Sequence, residues 1–113
     1  MPATFTLDEH PDAWILTALG EIDYADSPAF RSCVECLLSG APPAAIVVFS
    51  KIGFLDSSGL GQLLRLHREY DADSRRLVLI PSKPVLSVLD LTRLSERFTT
   101  APDLASARAA LGT

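Results

Sequence analysis

Three observations predict an α/β fold with a mixed, largely parallel sheet. The run Ala44-Ala45-Ile46-Val47-Val48-Phe49 is apolar without interruption, which reads as a strand buried on both faces. Segments with apolar residues at helical spacing alternate with this run and with other β-rich runs, as crossover helices do between parallel strands. No internal repeat and no linker divides the chain, so residues 1–113 form one domain. The expected order is β-β-α-β-α-β-α-β-α, with about four to five strands, about four helices and an initial hairpin that adds an antiparallel edge.

Each element has its own signal. Thr4-Phe5-Thr6-Leu7 alternates and predicts a short edge strand. His10-Pro11-Asp12 is a turn, and Trp14 to Leu19 predicts a second strand ended by Gly20-Glu21-Ile22-Asp23. Ser27-Pro28 marks a helix start, with serine as N-cap and proline at the first helical position. That helix runs to Ser39, with Gly40 at its C′ position, and its stripe is Phe30, Cys33, Val34, Leu37 and Leu38. Pro42-Pro43 forces an extended approach to the third strand, 44–49. A second helix from about Ser57 to Tyr70 follows, then a polar loop over Asp71 to Ser74 and a fourth strand, Leu77 to Ile80. Pro84 opens a third helix carrying Val85, Val88 and Leu89, and Arg97-Phe98-Thr99 predicts a short last strand. Thr100-x-x-Asp103 resembles a capping box ahead of a final helix with Leu104, Ala107 and Leu111.

Composition narrows the function classes. A hydrophobic content of 48% against 21% charged residues excludes disorder. No apolar stretch approaches the ~18–20 residues that span a bilayer, and Met1-Pro2-Ala3-Thr4 lacks a basic start and apolar run. A soluble cytoplasmic protein without membrane contact is the expectation. The net charge of −4 and the absence of a basic stripe argue against direct nucleic-acid binding. The sequence leaves the oligomeric state open.

The most informative segment is Phe54-Leu55-Asp56-Ser57-Ser58-Gly59-Leu60-Gly61, between the third strand and the second helix. A helix N-terminus exposes unpaired N–H groups and a positive dipole end, which accommodate a phosphate. Taken locally, Asp56, Ser57 and Ser58 are equally good helix caps, and Asp23 is an ordinary turn acid. Gly59 and Gly61 lack the Gly-Lys-Ser/Thr ending of a nucleotide P-loop. Right-handed crossovers bring the Gly20–Ala25 and Phe54–Ser58 loops to one rim, where open α/β sheets meet ligands.

Other reactive residues have plainer readings. Cys33 and Cys36 form a Cys-x-x-Cys, but Cys33 falls in the buried stripe of a helix and not at its N-terminus, so it reads as packing. His67 reads as a partly covered helix residue, His10 as an exposed turn residue and Trp14 as packing. Neither histidine falls on a rim loop, so Ser57 and Ser58 lack the base that a hydrolase nucleophile needs. Arg65, Arg68 and Glu69 read as a solvated face with the option of a partner contact.

Together, Gly20-Glu21-Ile22-Asp23, the apolar strand, Asp56-Ser57-Ser58-Gly59-Leu60-Gly61, Leu77-Val78-Leu79-Ile80-Pro81-Ser82 and Phe98-Thr99 resemble the STAS domain of bacterial anti-sigma factor antagonists. The resemblance covers the whole chain and implies a STAS fold. It also implies a partner-switching role: the unphosphorylated antagonist binds an anti-sigma factor that is a serine kinase, which frees the sigma factor. Phosphorylation ends the capture and a serine phosphatase restores it. By position, Ser58 is the implied phosphate acceptor. Asp23, Asp56, Ser57 and Gly59 form the implied switch loop, in which Ser57 is expected to serve local hydrogen bonding. The chain itself is expected to be no enzyme and to carry no cofactor or metal, ATP and Mg belonging to the kinase.

One departure bears on charge. Val48 stands where such domains often carry an acidic or polar residue, and Lys51 is expected in the loop approaching Asp56, so the acceptor rim is expected to be less acidic. Two further readings remain open. One is a STAS scaffold, sensory or lipid-transport accessory subunit with no phosphorylation cycle. The other is a small redox protein using Cys33 and Cys36.

Overall fold

Alternation along the third strand demands cover on two sides: Ala45, Val47 and Phe49 face one way, Ile46 and Val48 the other. The computed structural model, which describes residues 2–40 and 42–112, meets that demand with helices on both faces of one sheet. The elements are β1 (Thr4–Glu9), β2 (Trp14–Ile22), α1 (Ser27–Ser39), β3 (Ala44–Leu55), α2 (Ser57–Ala72), β4 (Arg76–Pro81), α3 (Lys83–Leu91), β5 (Thr99–Thr100) and α4 (Leu104–Gly112). Short 3-10 turns at Tyr24–Asp26 and Ser95–Arg97 precede α1 and β5. The mixed α/β class and the element order are those expected.

The strands lie in the order β1-β2-β3-β4-β5. β1 pairs antiparallel with β2, Leu7 opposite Leu16, and every later pair is parallel. Because each parallel strand sits beside its predecessor, crossovers of one hand place their helices on one face. There Phe30, Val34 and Leu37 of α1, Leu63, Leu66 and Tyr70 of α2, and Val85 and Leu89 of α3 pack on Leu16, Val47 and Leu79. The opposite face is covered by α4, whose Ala107 and Leu111 rest on Ile46, Val78 and Ile80. Arg108 pairs with Asp12 in the β1–β2 turn, and Arg76 donates to the Leu111 carbonyl; both contacts tie α4 down.

Several boundaries differ from expectation for identifiable reasons. β3 continues to Leu55 instead of stopping at Phe49, and β2 continues through Gly20 to Ile22. Two register shifts against β2 each give β3 one extra residue, so Phe49, Ile52 and Leu55 reach the core at intervals of three, not two. Gly40 has a φ of −70° and is no left-handed cap. It is glycine because a Cβ there would lie 2.3 Å from Cη2 of the Trp14 ring. Ser27 is the first residue of α1, with Asp26 in the cap position. Asp103, expected as the third residue of the last helix, is its cap: its Oδ1 accepts from the Ser106 N–H at 2.8 Å.

Candidate functional site

The site forms where the parallel strands β2 and β3 end side by side. Ile22 lies opposite Leu55, and the Asp56 N–H donates to the Ile22 carbonyl at 3.1 Å. Asp23 and Asp56 therefore leave adjacent strand ends on one rim, as the topology predicted.

Each acid organises its own turn. Asp23 Oδ1 accepts from the Ala25 N–H at 2.9 Å, while Asp26 Oδ2 accepts from the Asp23 N–H at 3.2 Å, a reciprocal cap on the 3-10 turn. Asp26 also accepts from the Ala3 N–H at 3.2 Å. The Asp23 N–H, ahead of the Ala3 contact, holds the Asp26 carboxyl below the usual carboxylate range. Asp56 is the N-cap of α2, in extended conformation, and its Oδ1 accepts from the Gly59 N–H at 2.9 Å. The same oxygen accepts from the Ser58 hydroxyl at 2.7 Å. Helical side chains lean toward the N-terminus, so a hydroxyl in the first turn reaches back to the cap.

That geometry reassigns one role. Local hydrogen bonding, expected of Ser57, falls to Ser58; Ser57 is exposed, and among the described residues its hydroxyl has no partner. Gly59 is buried, and a Cβ there would meet Leu55 Cδ1 at 2.5 Å and Ile22 Cγ2 at 3.0 Å. Absence of a side chain at that position lets α2 start directly against the two strand ends.

The expected effect of Val48 and Lys51 on the rim is corrected. Val48 packs half-buried on the α4 face with Ile46 and Val78. Lys51 lies within β3 opposite Leu19, on a surface with Glu21 and Gly53, and not in the loop before Asp56. The acid in contact with Ser58 is thus Asp56, with Asp23 and Asp26 in the turn after the adjoining strand end.

The remaining candidates sit apart. His67 packs against Phe98 with ring centroids 4.8 Å apart and the rings tilted by 44°, about 13 Å along the helix from Ser58 at 1.5 Å per residue. His10 is exposed in its turn. Cys33 packs half-buried on the main core, and burial, with the neighbouring Cys36 adding, pushes its thiol pKa up; a redox thiol needs the opposite shift. Arg65 bridges Glu35 of α1 at 2.6 Å and Glu69 at 3.0 Å, which accounts for that charged face. Among the described residues no cluster of His, Cys, Asp and Glu could hold a metal ion, and no helix is long and apolar enough to cross a membrane.

Two features escaped the sequence reading. A groove of about 630 Å³ runs between the Tyr24–Asp26 turn with the start of α1 on one side and Gln62 of α2 on the other. Tyr24 is 83% exposed beside it, and Gln62 Oε1 is buried with no hydrogen-bond partner. An aromatic residue placed directly after Asp23 was the signal for the first; nothing local marks the second.

Comparison with solved structures gives close matches. An anti-sigma factor antagonist from Mycobacterium paratuberculosis superposes with a TM-score of 0.86 at 24% identity, covering 98% of this chain and 95% of that one. The anti-sigma factor antagonist SpoIIAA in its unphosphorylated form gives 0.79 at 25% identity, covering 97% and 98%. The phosphorylated form of SpoIIAA, a Bacillus cell fate determinant, gives 0.74 at 24% identity, covering 95% and 99%. No curated protein sequence matches significantly. The family model of the STAS domain matches residues 4–107. With that match spanning nearly the whole chain, and with a fold shared with anti-sigma factor antagonists, the chain belongs to the STAS domain family.

Proposed function

We propose that this chain is an anti-sigma factor antagonist that acts as a switchable binding module and not as an enzyme. Unmodified, it binds an anti-sigma factor that is also a serine kinase and so releases the sigma factor. Phosphorylation of Ser58 ends that binding, and a serine phosphatase restores it. The setting is the cytoplasm, where such a kinase finds ATP.

The observation that carries the reading is the 2.7 Å contact in which Ser58 Oγ donates to Asp56 Oδ1 at the start of α2. In the transfer a bond forms between Oγ and the γ-phosphorus of ATP, and the bond from that phosphorus to the bridging oxygen breaks, releasing ADP. The hydroxyl proton already points at Asp56, whose carboxylate is placed to accept it. Nucleotide and magnesium are held by the kinase. Once modified, Oγ has no proton to donate, and roughly −1.5 to −2 charges stand beside Asp56, with Asp23 on the adjoining strand end. The α2 N-terminus tolerates the phosphate, so the fold persists while a partner surface matched to a neutral hydroxyl does not.

Incubation with Mg-ATP and purified serine-kinase anti-sigma factors, followed by intact mass and peptide mapping, tests the acceptor. One phosphate on Ser58 is expected in the wild type and none in Ser58→Ala, which still binds the kinase. Ser58→Asp should bind about tenfold or more weakly, at 1.4 kcal/mol per factor of ten. Equal binding by both variants would sink the switch. Binding without phosphate, from a kinase that is otherwise active, would favour a static scaffold.

A further inference from the structure

We infer that α4 is a detachable lid, which opens as one unit about Pro102 and Asp103 while the rest of the fold stays closed, and uncovers the apolar sheet face of Ile46, Val78 and Ile80. The lid lies across the sheet from α2, so the inference stands apart from the reading of Ser58.

Packing beneath α4 is thin. Ala107 is its one buried residue, Leu111 is partly covered, and Leu104 keeps 42% of its surface in solvent. By contrast α1 buries Phe30, Val34 and Leu37, and α2 buries Leu63, Leu66 and Tyr70. Stabilisation follows the apolar area removed from water, and a methyl group supplies far less of it than those side chains. Two clefts also flank the end of the helix. One, of about 310 Å³, separates Ala110 and Leu111 from His67 and Thr99. The other, of about 270 Å³, separates Arg108 and Gly112 from Pro43 and Ala44. Helix atoms that face a cleft touch water instead of dense protein and forgo that much dispersion attraction.

Two polar ties add to this packing, both at the surface. Arg108 pairs with Asp12, their side chains 39% and 59% exposed, and Arg76 donates to the Leu111 carbonyl. Exposed ion pairs contribute little and are screened by salt. The hinge follows from the residues just ahead of the helix. Ala101 is buried and its N–H donates to the Leu79 carbonyl at 3.0 Å, so it stays with the sheet. Pro102 has no N–H with which to extend that ladder. The cap from Asp103 to the Ser106 N–H lies wholly inside the lid and leaves with it. Nine residues are too few for a helix to persist alone in water, so α4 melts as it detaches.

Native-state hydrogen exchange of the full chain, resolved by residue with NMR, tests the lid. The amides of residues 107–111 should share one level of protection, about tenfold or more below that of β3 and α2. Arg108→Ala should speed exchange in α4 about two- to fivefold and leave α1, α2 and β3 unchanged. Added sodium chloride should have the same effect on the wild type and none on Arg108→Ala. Ala107→Asp, which sets a charge against the apolar face, should detach the lid outright: α4 loses its protection, anilinonaphthalene sulfonate fluoresces on the uncovered strands, and β3 and α2 remain protected. Protection in α4 equal to that of β3, with Arg108→Ala lowering both together, would make α4 part of the global unit and overturn the lid. So would unfolding of the whole chain by Ala107→Asp. A steady fall in protection from residue 107 to 111 would mean fraying from the end, and would also overturn it.

Discussion

At Asp56 one carboxylate oxygen accepts from two donors, the Gly59 backbone and the Ser58 hydroxyl, and substitution can separate the two contacts. Asparagine caps helices as well as aspartate does, whereas alanine loses about 1 kcal/mol. Asp56→Asn should therefore melt near the wild type but accept phosphate more slowly, since an amide oxygen does not take up the Ser58 proton. Asp56→Ala should lose both. Thermal melts alongside single-turnover phosphorylation check this, and a wild-type transfer rate in Asp56→Asn would reduce Asp56 to a cap. At this scale much was legible in the sequence. The Asp-Ser-Ser-Gly run at a strand-to-helix junction marks a helix cap from residue types alone, whereas Ser58 as an acceptor is implied only by the family resemblance. The bond from Ser58 was not legible, because two neighbouring serines look alike until the helix direction decides which hydroxyl reaches back. Gln62 was invisible for a different reason: a glutamine inside a helix carries no local sign that its oxygen is buried.

Among the elements, strand and helix identities followed from periodicity, and their ends did not. Ser50 and Lys51 interrupt the apolar run after Phe49 and look like a strand end. They are instead exposed residues of a bulged strand that continues on a three-residue rhythm to Leu55. Bulges depend on the neighbouring strand, so the sequence of β3 alone cannot show them. Gly40 and Gly61 make the same point through glycine and offer a paired prediction. A methyl group at Gly40 would collide with the Trp14 ring and come within 2.9 Å of the Cys36 carbonyl. Gly40→Ala should destabilise by about 1–3 kcal/mol and shift the fluorescence of the single tryptophan. At Gly61, inside α2, a methyl group would have nothing within 4 Å of it. Gly61→Ala should stabilise by about 0.5–1 kcal/mol through helix propensity. Denaturant titrations of both check the pair; a loss at Gly61 equal to that at Gly40 would contradict the packing argument.

Across the whole molecule, charge gives the fold a pH window. A hydrogen bond from Arg108 lowers the Asp12 carboxyl pKa, one from Arg65 lowers Glu35, and the Ser106 N–H lowers Asp103, as the Asp23 N–H does Asp26. Groups lowered in the folded state add stability above their unfolded values, near 4, and lose it as pH falls through the folded ones. Burial raises the Tyr70 phenol to about 12, against the weaker pull of Arg75. A raised phenol contributes fully below its unfolded value, about 10, and its contribution is lost as pH rises toward the folded one. The melting temperature should thus decline below about pH 4 and above about pH 10. Salt should flatten the acid limb, whose pairs lie at the surface. Tyr70→Phe should remove the alkaline limb at a loss of about 1 kcal/mol, the worth of the hydroxyl's 2.8 Å bond to the Leu37 carbonyl; an unchanged alkaline limb would point to another group. The unbroken strand order also bears on synthesis. Each new strand joins the edge its predecessor has just made, so the sheet can grow in step with the ribosome. Residues 2–72, which hold the Asp56–Ser58 pair, need nothing from β5 or α4 for their strand pairing. The Asp56–Ser58 contact can therefore take shape on a nascent chain while α4 is still within the exit tunnel.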